Sequence, residues 1–244
     1  MSEVIQAQAL ECAQLLSEPP RAAVLDGLLS RVLSFAYRMR GLERYDAFRL
    51  ERVHGVPVLV TPSVFNPRLL RTGAYFAGCL DGKLIPPAAE VLDLGTGSGV
   101  CALFAARHAR RVVAIDINPA AVRCAQINAA LNHLEHRIEV RGGDLFAPVH
   151  AERFDVVLFN PPFVRGTPRN DRERAWRAED VAERFAAQLG AHLKPGGCAL
   201  VLLSSFGDSA AFLTELAAQG FALTPFAQRR YVGERVIIFR AVQP

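Results

Sequence analysis

The residues Asn160-Pro161-Pro162-Phe163 combine a side-chain amide with two prolines and an aromatic ring. An amide oxygen accepts hydrogen bonds from N–H groups, and an aromatic ring stacks on planar groups. Proline fixes its own φ and pushes the preceding residue toward extended backbone, which restricts the direction of the Asn160 side chain. The motif is therefore suited to holding a planar amide or amino nitrogen. A proline turn beside a core phenylalanine is the alternative use of the same residues.

A second candidate site is Asp93-Leu94-Gly95-Thr96-Gly97-Ser98-Gly99, in which three glycines follow an apolar run. Glycines at a strand-to-helix turn let the backbone approach a ligand that any Cβ would obstruct. The stretch Gly97 to Ala102 also fits a dinucleotide fingerprint, with Asp116 at about the ribose-binding distance downstream. The loop alone predicts a nucleotide-like ligand and leaves its identity open.

Three acids narrow the choice of ligand. Asp93, just before the glycines, is placed to accept from an ammonium group, which S-adenosylmethionine has and a nicotinamide dinucleotide lacks. Asp116 ends the second strand of the alternating region, where a carboxylate can accept from both ribose hydroxyls. Asp144 follows the third strand and can accept from an adenine amino group. A helix cap at Asp116 and a plain turn at Asp144 are the structural alternatives.

These motifs together resemble those of the class I S-adenosylmethionine-dependent methyltransferases, in order and at ordinary spacing, from about Ala89 onward. The resemblance implies S-adenosyl-L-methionine as the cofactor and no metal. The cofactor-binding residues that it implies are Thr72, Asp93, Gly95, Thr96, Gly97, Gly99, Asp116, Ile117, Asp144, Leu145 and Asn160.

The acceptor motif resembles that of N-methyltransferases acting on glutamine amides or on exocyclic amines of nucleobases. The whole arrangement is most similar to the release-factor glutamine methyltransferases, which implies catalytic roles for Asn160, Pro161, Pro162 and Phe163. Arg71 stands before Thr72 where that family has an acid, and Phe163 stands where it usually has tyrosine. Phenylalanine is frequent at that position in ribosomal RNA guanine and adenine methyltransferases, so an RNA base remains an alternative acceptor.

The resulting hypothesis is an N-methyltransferase acting on an amide or amino nitrogen, most simply a protein glutamine or a small-molecule amide. An rRNA or tRNA base N-methyltransferase is the second hypothesis. A methyltransferase-like enzyme that cleaves or cyclises S-adenosylmethionine is the third. A non-catalytic module that kept the cofactor pocket is the fourth, and the rigid Asn160 motif argues against it.

The elements that would position these residues alternate between strands and helices from Ala89, which predicts an α/β, Rossmann-like, mostly parallel sheet. Two β-rich runs at the end have no helix between them, so the last strand should be antiparallel. We expect three segments: a helical N-terminal appendage over 1–46, a β-hairpin and connecting segment over 47–72, and the S-adenosylmethionine-binding catalytic domain over 73–244. Helices are predicted from about Glu3 to Leu16 and from Arg21 to Arg40.

Composition sets the remaining expectations. With 244 residues, 51% of them hydrophobic, and a formal charge of +4, the chain suits a globular domain and permits an RNA partner without requiring one. Its five cysteines are scattered singly, and neither a signal peptide nor an apolar run of about 18 residues is apparent. We therefore expect a cytoplasmic protein without a membrane partner. The oligomeric state is not indicated.

The stretch after the acceptor motif is rich in arginine, interleaved with acids and one tryptophan. Either it is a flap that meets phosphates or an acidic protein surface, or it is a solvated helix start with local ion pairs. Its arginines are Arg165, Arg169, Arg172, Arg174 and Arg177.

Overall fold

The computed structural model describes residues 2–17, 47–69, 71–169, 173, 176–231 and 234–243. Its helices are α1 (Ser2–Ser17), α2 (Thr72–Gly78), α3 (Val100–Ala106), α4 (Pro119–Leu131), α5 (Val181–His192) and α6 (Ala210–Ala218). Its strands are β1 (Arg49–Val53), β2 (Val56–Val60), β3 (Glu90–Leu94), β4 (Arg111–Asp116), β5 (Ile138–Gly142), β6 (Phe154–Phe159), β7 (Val164–Arg165), β8 (Arg177–Ala178), β9 (Leu193–Ser204), β10 (Ala222–Tyr231) and β11 (Glu234–Val242). The helix predicted over 21–40 lies outside the described residues.

A seven-stranded sheet with the order β10-β11-β9-β6-β3-β4-β5 forms the centre of the fold. Strands β9, β6, β3, β4 and β5 pair in parallel, whereas β11 lies antiparallel between β9 and β10. The α/β prediction with an antiparallel last strand is confirmed. Since the carboxyl ends of the parallel strands share one edge, the candidate motifs that follow β3, β4, β5 and β6 meet there.

Helices cover both faces of this sheet, which explains why its central strands are mostly apolar rather than alternating. Residues Leu92, Val157 and Leu200 of three neighbouring strands are fully buried. The apolar side chains divide into two clusters, one shared by α1, α5 and α6 and the other by α2, α3, α4 and the hairpin β1–β2.

Helix α1 packs on the central sheet itself, with its apolar stripe against α6 and β10. Its residues Ile5, Ala9, Cys12 and Leu16 recur at three- and four-residue spacing and are all buried in the first of the two clusters. The thiol of Cys12 lies 3.8 Å from the Leu223 carbonyl oxygen. The division of the chain into three segments stays a prediction.

The hairpin β1–β2 is joined to α4 by side-chain hydrogen bonds, among them those of the buried Asn128. Asn128 accepts from the Leu59 amide at 2.7 Å and donates to the carbonyl oxygens of Leu59 and Ser98 at 2.6 and 2.9 Å. Asn118, at the start of the same helix, donates to the Ser63 carbonyl at 3.0 Å. These bonds hold the hairpin, and the segment that follows it, next to the sheet edge where the candidate motifs meet.

Helix α2 is an element that the sequence did not predict. Its sequence holds two glycines in seven residues, a composition that disfavours a helix. Tertiary packing offsets this, because Thr72, Phe76 and Ala77 are buried and the helix lies against α3.

Candidate active site

A cavity of about 390 Å³ opens at the carboxyl edge of the parallel strands. It brings together residues that were predicted from four separate motifs. The predicted residues that line it are Gly95, Gly97, Asp116, Ile117, Asp144, Leu145, Asn160 and Pro162.

The glycine loop has two kinds of glycine. Gly95 and Gly97 have φ of 62° and 56°, and a Cβ on either would meet no atom closer than 3.8 Å, so it would point into open space. Gly99 has φ of 79°, and its Cβ would lie 3.1 Å from the Ala125 Cβ of α4. The first two glycines keep the cavity floor bare, as a closely approaching ligand requires, and the third lets two helices pack closely.

Asp116 has both carboxylate oxygens turned to backbone amides at the cavity wall. Oδ2 accepts from the Gly97 amide at 2.8 Å and Oδ1 from the Asn118 amide at 2.9 Å. Burial raises the pKa of this carboxyl, and the backbone hydrogen bonds oppose that shift. Asn118, which accepts from the Ala120 amide at 2.9 Å, is the cap of α4. Each Asp116 oxygen retains a lone pair for a ligand hydroxyl.

Asp93 lies beneath the glycine loop rather than in the cavity lining. Its Oδ2 accepts from the Thr96 hydroxyl at 2.6 Å and from the Ala102 amide at 3.1 Å, and the residue is 3% exposed. Burial raises the pKa of this carboxyl to about 7. In the structure Asp93 holds the strand-to-helix turn together, and its predicted contact with a ligand ammonium stays a prediction.

Asp144 is joined across the cavity to a residue that sequence reasoning missed. Arg184 of α5 donates to Asp144 Oδ2 at 2.6 Å and lies 3.0 Å from Asp180 Oδ1. Both Asp144 and Arg184 line the cavity and are partly exposed. A guanidinium on one carboxylate oxygen leaves the other free to accept from an amino group.

The other predicted site residues do not line the cavity. Thr72, Thr96 and Pro161 are buried, and Phe163 packs against the second apolar cluster. With Asp93 and Gly99, they are absent from the cavity lining, and their predicted ligand contacts remain predictions.

Asn160 carries the one unsatisfied polar atom of the acceptor motif among the described residues. Its Oδ1 is closed off from solvent and has no hydrogen-bond partner within the described part of the chain. The residue lines the cavity beside Phe159 and Pro162. A buried acceptor without a partner costs about 1–3 kcal/mol, so a partner supplied by a ligand would remove that cost.

The loop after β9 holds Phe163 in place, a contact that sequence reasoning also missed. The Asp208 amide donates to the Phe163 carbonyl at 2.8 Å. Gly207 has φ of 91°, and a Cβ there would lie 2.0 Å from the same carbonyl oxygen. Its signal in the sequence is one glycine between a strand and a helix, which does not reveal a partner more than forty residues away.

The arginine-rich stretch contributes its described ends to one side of the cavity. Its ends pair as the two-residue parallel strands β7 and β8, and Thr167, Pro168 and Arg177 line the cavity. Opposite them lie Ser63 to Phe65, and the Phe65 ring lies 6.2 Å from that of Trp176. Arg165 forms an ion pair with Glu183. Arg172 and Arg174 lie outside the described residues.

The described ranges contain no group of three or more His, Cys, Asp or Glu placed to hold an ion. No helix of these ranges is long and apolar enough to cross a membrane.

The sequence of this chain is similar to those of known methyltransferases. Residues 56–221 match the family model of the methyltransferase small domain. A release factor glutamine methyltransferase of Koribacter versatilis is 34% identical over 202 residues, covering 68% of this chain and 71% of that protein. A ribosomal RNA small subunit methyltransferase C of Alcanivorax borkumensis is 35% identical over 137 residues, covering 56% of this chain and 39% of that protein.

Solved structures show the same fold. A T. thermophilus 16S rRNA N2 G1207 methyltransferase, in complex with AdoMet and guanosine, matches with a TM-score of 0.60 at 22% identity. The match covers 81% of this chain and 50% of that one. The chain thus spans half or less of these two rRNA methyltransferases and over two thirds of the glutamine methyltransferase.

Proposed function

Because this chain belongs to the methyltransferase small domain family, we propose that it methylates the side-chain amide nitrogen of a protein glutamine, using S-adenosylmethionine. The predicted family resemblance and Rossmann-like fold are confirmed, as is S-adenosylmethionine at the level of the family. The acceptor and the roles of individual residues belong to the proposal.

Coverage of the relatives supports a glutamine acceptor. The alignment with the release factor glutamine methyltransferase extends over 71% of that protein. The alignment with the ribosomal RNA methyltransferase stops at 39% of that protein. A second relative named as a ribosomal protein uL3 glutamine methyltransferase, from Bradyrhizobium diazoefficiens, is 33% identical over 171 residues, which cover 59% of this chain and 52% of that protein.

The observation that carries the proposal is the unpartnered Oδ1 of Asn160 at the cavity. An amide NH₂ group offers two N–H donors and would satisfy this oxygen with one of them. The Pro161 carbonyl would accept the other. Two acceptors fix the plane of the amide, which turns its nitrogen toward the cofactor side of the cavity.

The residues of the cavity also fit the cofactor. Gly95 and Gly97 leave open space where any larger residue would place a Cβ, and Asp116 presents carboxylate oxygens beside them. When bound there, S-adenosylmethionine supplies an electrophilic methyl group.

The chemistry needs orientation rather than a strong base. The amide lone pair is delocalised, so the nitrogen gains positive charge as its bond to the methyl carbon forms and the carbon–sulfur bond breaks. Asn160 and Pro161 would stabilise that charge through their hydrogen-bonded oxygens. One amide proton then leaves to solvent. The Phe163 ring, fixed from behind by Gly207 and Asp208, would pack on the planar acceptor.

A ribosomal RNA base is the second candidate acceptor. The 35% identity to the ribosomal RNA methyltransferase and the phenylalanine at position 163 favour it. An exocyclic amine on a guanine or adenine has the same two N–H donors as a glutamine amide, so the two candidates share the predicted role of Asn160.

The test is methyl transfer from deuterated-methyl S-adenosylmethionine to defined acceptors. We expect the full chain to add one labelled methyl group to a glutamine-containing release-factor peptide and to release methylamine from that product on acid hydrolysis. Matched peptides with asparagine or glutamate in place of the glutamine should stay unlabelled.

Three outcomes would contradict the proposal. Label confined to ribosomal RNA and removed by ribonuclease would reverse the order of the two acceptors. Consumption of S-adenosylmethionine without any acceptor would identify cofactor cleavage. Saturable cofactor binding with no turnover across the acceptor panel would indicate a binding module.

A further inference from the structure

Arg184 of α5 connects two carboxylates that line the active-site cavity. Its Nη1 atom donates to Asp144 Oδ2 at 2.6 Å, and its Nε atom lies 3.0 Å from Asp180 Oδ1. Asp144 lies in the loop after β5 and Asp180 immediately before α5, so one guanidinium joins two separate elements of the lining. Among the described residues, no contact engages the second carboxylate oxygen of Asp144, Oδ1.

The two contacts of Arg184 differ in kind. An aspartate at the position of Asp180, the N-cap of α5, commonly accepts from a backbone amide of the helix, but the Asp180 side chain makes no such bond. Its carboxylate lies instead beside Arg184 Nε, which is closed off from solvent and has no hydrogen-bond partner within the described part of the chain. Asp180 therefore attracts the guanidinium by charge, whereas Asp144 receives its hydrogen bond.

The backbone on both sides of Asp144 is held by the surrounding structure. The Gly143 amide donates to the Asp116 carbonyl at 3.0 Å, and a Cβ on Gly143 would lie 2.3 Å from the Pro148 ring. Leu145 has a φ of 47°, in the left-handed region, which is unfavourable for a residue with a Cβ and persists where neighbouring contacts enforce it. With the backbone fixed in this way, the side chain of Asp144 is the part that Arg184 orients.

Helix α5 is itself packed against the loop that carries Asp144. The Phe146 ring stacks on Phe185 with 5.8 Å between ring centres and on His192 with 4.5 Å. Phe146 and Phe185 are both fully buried, and Phe185 directly follows Arg184. The guanidinium therefore extends from a helix that is fixed relative to its hydrogen-bond acceptor.

We propose that Arg184 is a positioning residue that sets the base specificity of the cofactor site, a role that rests on the proposed use of S-adenosylmethionine. The side chains of Arg184 and Asp144 are 38% and 43% exposed, and ion pairs this exposed contribute little to stability. Orientation is the larger consequence. With Oδ2 engaged by Arg184, Asp144 presents a single acceptor, Oδ1, to the base.

A fixed acceptor distinguishes a 6-amino purine from a 6-oxo purine. The amino group of adenine donates an N–H to Oδ1, whereas the carbonyl oxygen of hypoxanthine has no hydrogen to donate and would face a carboxylate oxygen. Without Arg184, the Asp144 carboxylate can rotate and accept from the N1–H group that hypoxanthine carries and adenine lacks. Loss of Arg184 should therefore reduce discrimination between the two bases and not only affinity.

Calorimetry of the full chain with S-adenosylhomocysteine and S-inosylhomocysteine tests this proposal. Wild type should bind the adenosyl ligand roughly ten- to 150-fold more tightly, as expected for one hydrogen bond to a charged group. Arg184→Ala should lower this ratio by about twofold or more, the coupling expected between residues in contact. Arg153→Ala is the matched control. Arg153 is exposed and precedes β6 at the opposite edge of the sheet, so this variant loses the same charge and should keep the wild-type ratio.

Asp144→Asn gives a sharper test, because it keeps the shape of the side chain. Arg184 has only N–H donors, so it should bind the amide oxygen and turn the amide NH₂ group toward the base. An NH₂ group there donates to a 6-oxo purine and opposes a 6-amino purine, so the preference should invert in favour of S-inosylhomocysteine. In the double variant Asp144→Asn with Arg184→Ala, the amide is free to rotate and the inversion should be lost.

Three results would overturn the proposal. Arg184→Ala could weaken both ligands by the same factor, which would make the residue structural. Asp144→Asn could behave alike with and without Arg184. Wild type could bind the two ligands equally or bind neither, which would remove base recognition from this cavity. All of these measurements concern binding alone, so a wild-type chain that shows the predicted ratios and leaves a glutamine peptide unmethylated would contradict the proposed acceptor and not the role of Arg184.

Discussion

The two sides of the cavity differ in how their polar atoms are satisfied. On the side proposed for the cofactor, the carboxylates of Asp116 and Asp144, and that of Asp93 beneath the lining, all accept hydrogen bonds from the protein itself. On the acceptor side, Asn160 Oδ1 is buried and has no partner within the described residues.

This difference indicates how the work is divided. The cofactor side is held in shape before any ligand arrives, so its ligand needs to meet only spare lone pairs. On the acceptor side, Asn160 Oδ1 lacks a hydrogen-bond donor, and the N–H group of the correct substrate would supply one. Substitutions on the two sides should therefore separate binding from transfer.

Asn160→Ala should give the largest effect. We expect transfer to fall roughly a hundredfold or more, because alignment and charge stabilisation are lost, while S-adenosylmethionine affinity stays near wild type. Removing an unpartnered buried acceptor should not lower the thermal midpoint. Single-turnover rates, calorimetry and thermal unfolding measure the three quantities. Asn160→Asp should be milder, and a variant that lost cofactor affinity would place Asn160 at the methionine end of the ligand.

Asp116→Ala should act on the other side, through binding. A hydrogen bond to a charged group contributes about 1.5–3 kcal/mol, which corresponds to roughly ten- to 150-fold weaker binding of S-adenosylmethionine. The variant also leaves the amides of Gly97 and Asn118 without their acceptor, so Asp116→Asn, which keeps the shape, is the matched control. Unchanged affinity by calorimetry would remove Asp116 from the site, and tight binding of NADH would restore the dinucleotide interpretation.

Gly207→Ala should slow methyl transfer indirectly, by displacing the acceptor motif that packs against Gly207. A Cβ placed 2.0 Å from the Phe163 carbonyl oxygen forces the motif or the loop to move. We expect kcat to fall about tenfold with little change in cofactor affinity, since small misplacements slow aligned reactions. Gly220→Ala has a similar φ of 84° and no atom within 4 Å, so it shares the backbone strain without the collision. If kcat falls equally in both variants, backbone strain rather than the collision with Phe163 explains the effect of Gly207→Ala.

The protonation of Asp93 should have the smallest effect on transfer and a visible one on stability. Burial raises its pKa from 3.8 to about 7, so the folded state binds more protons than the unfolded state between those values. The free energy of unfolding should therefore fall as pH rises from about 4 to about 7. Asp93→Asn should flatten this dependence in urea unfolding. If the ammonium group of bound S-adenosylmethionine pairs with Asp93, a saturating concentration of the cofactor should also flatten the pH dependence of wild type. The same pH dependence with and without cofactor would limit Asp93 to a structural role.

Much of the fold followed from local patterns. Strands β3, β4 and β6 are mostly apolar, and the three glycines with Asp116 and Asp144 mark the turns that follow strands of the sheet. These signals depend only on neighbouring residues, because a strand that is buried on both faces has apolar residues at most of its positions.

The missed features depend on distant contacts. Arg184 meets Asp144 forty residues away, and Gly207 lies against Phe163 more than forty residues away. Helix α2 forms against local propensity because α3 covers it. The alternative role of Asp116 as a helix cap is wrong, because Asn118 caps α4 and its side chain accepts from the Ala120 amide.

A crystal structure with S-adenosylhomocysteine and a glutamine peptide tests the central claim most directly. We expect the glutamine amide nitrogen within about 2.7–3.2 Å of Asn160 Oδ1, with its plane against Phe163 and the nitrogen facing the sulfur. The same structure would contradict the account if the homocysteine ammonium occupied Asn160 Oδ1 and the peptide amide lay elsewhere.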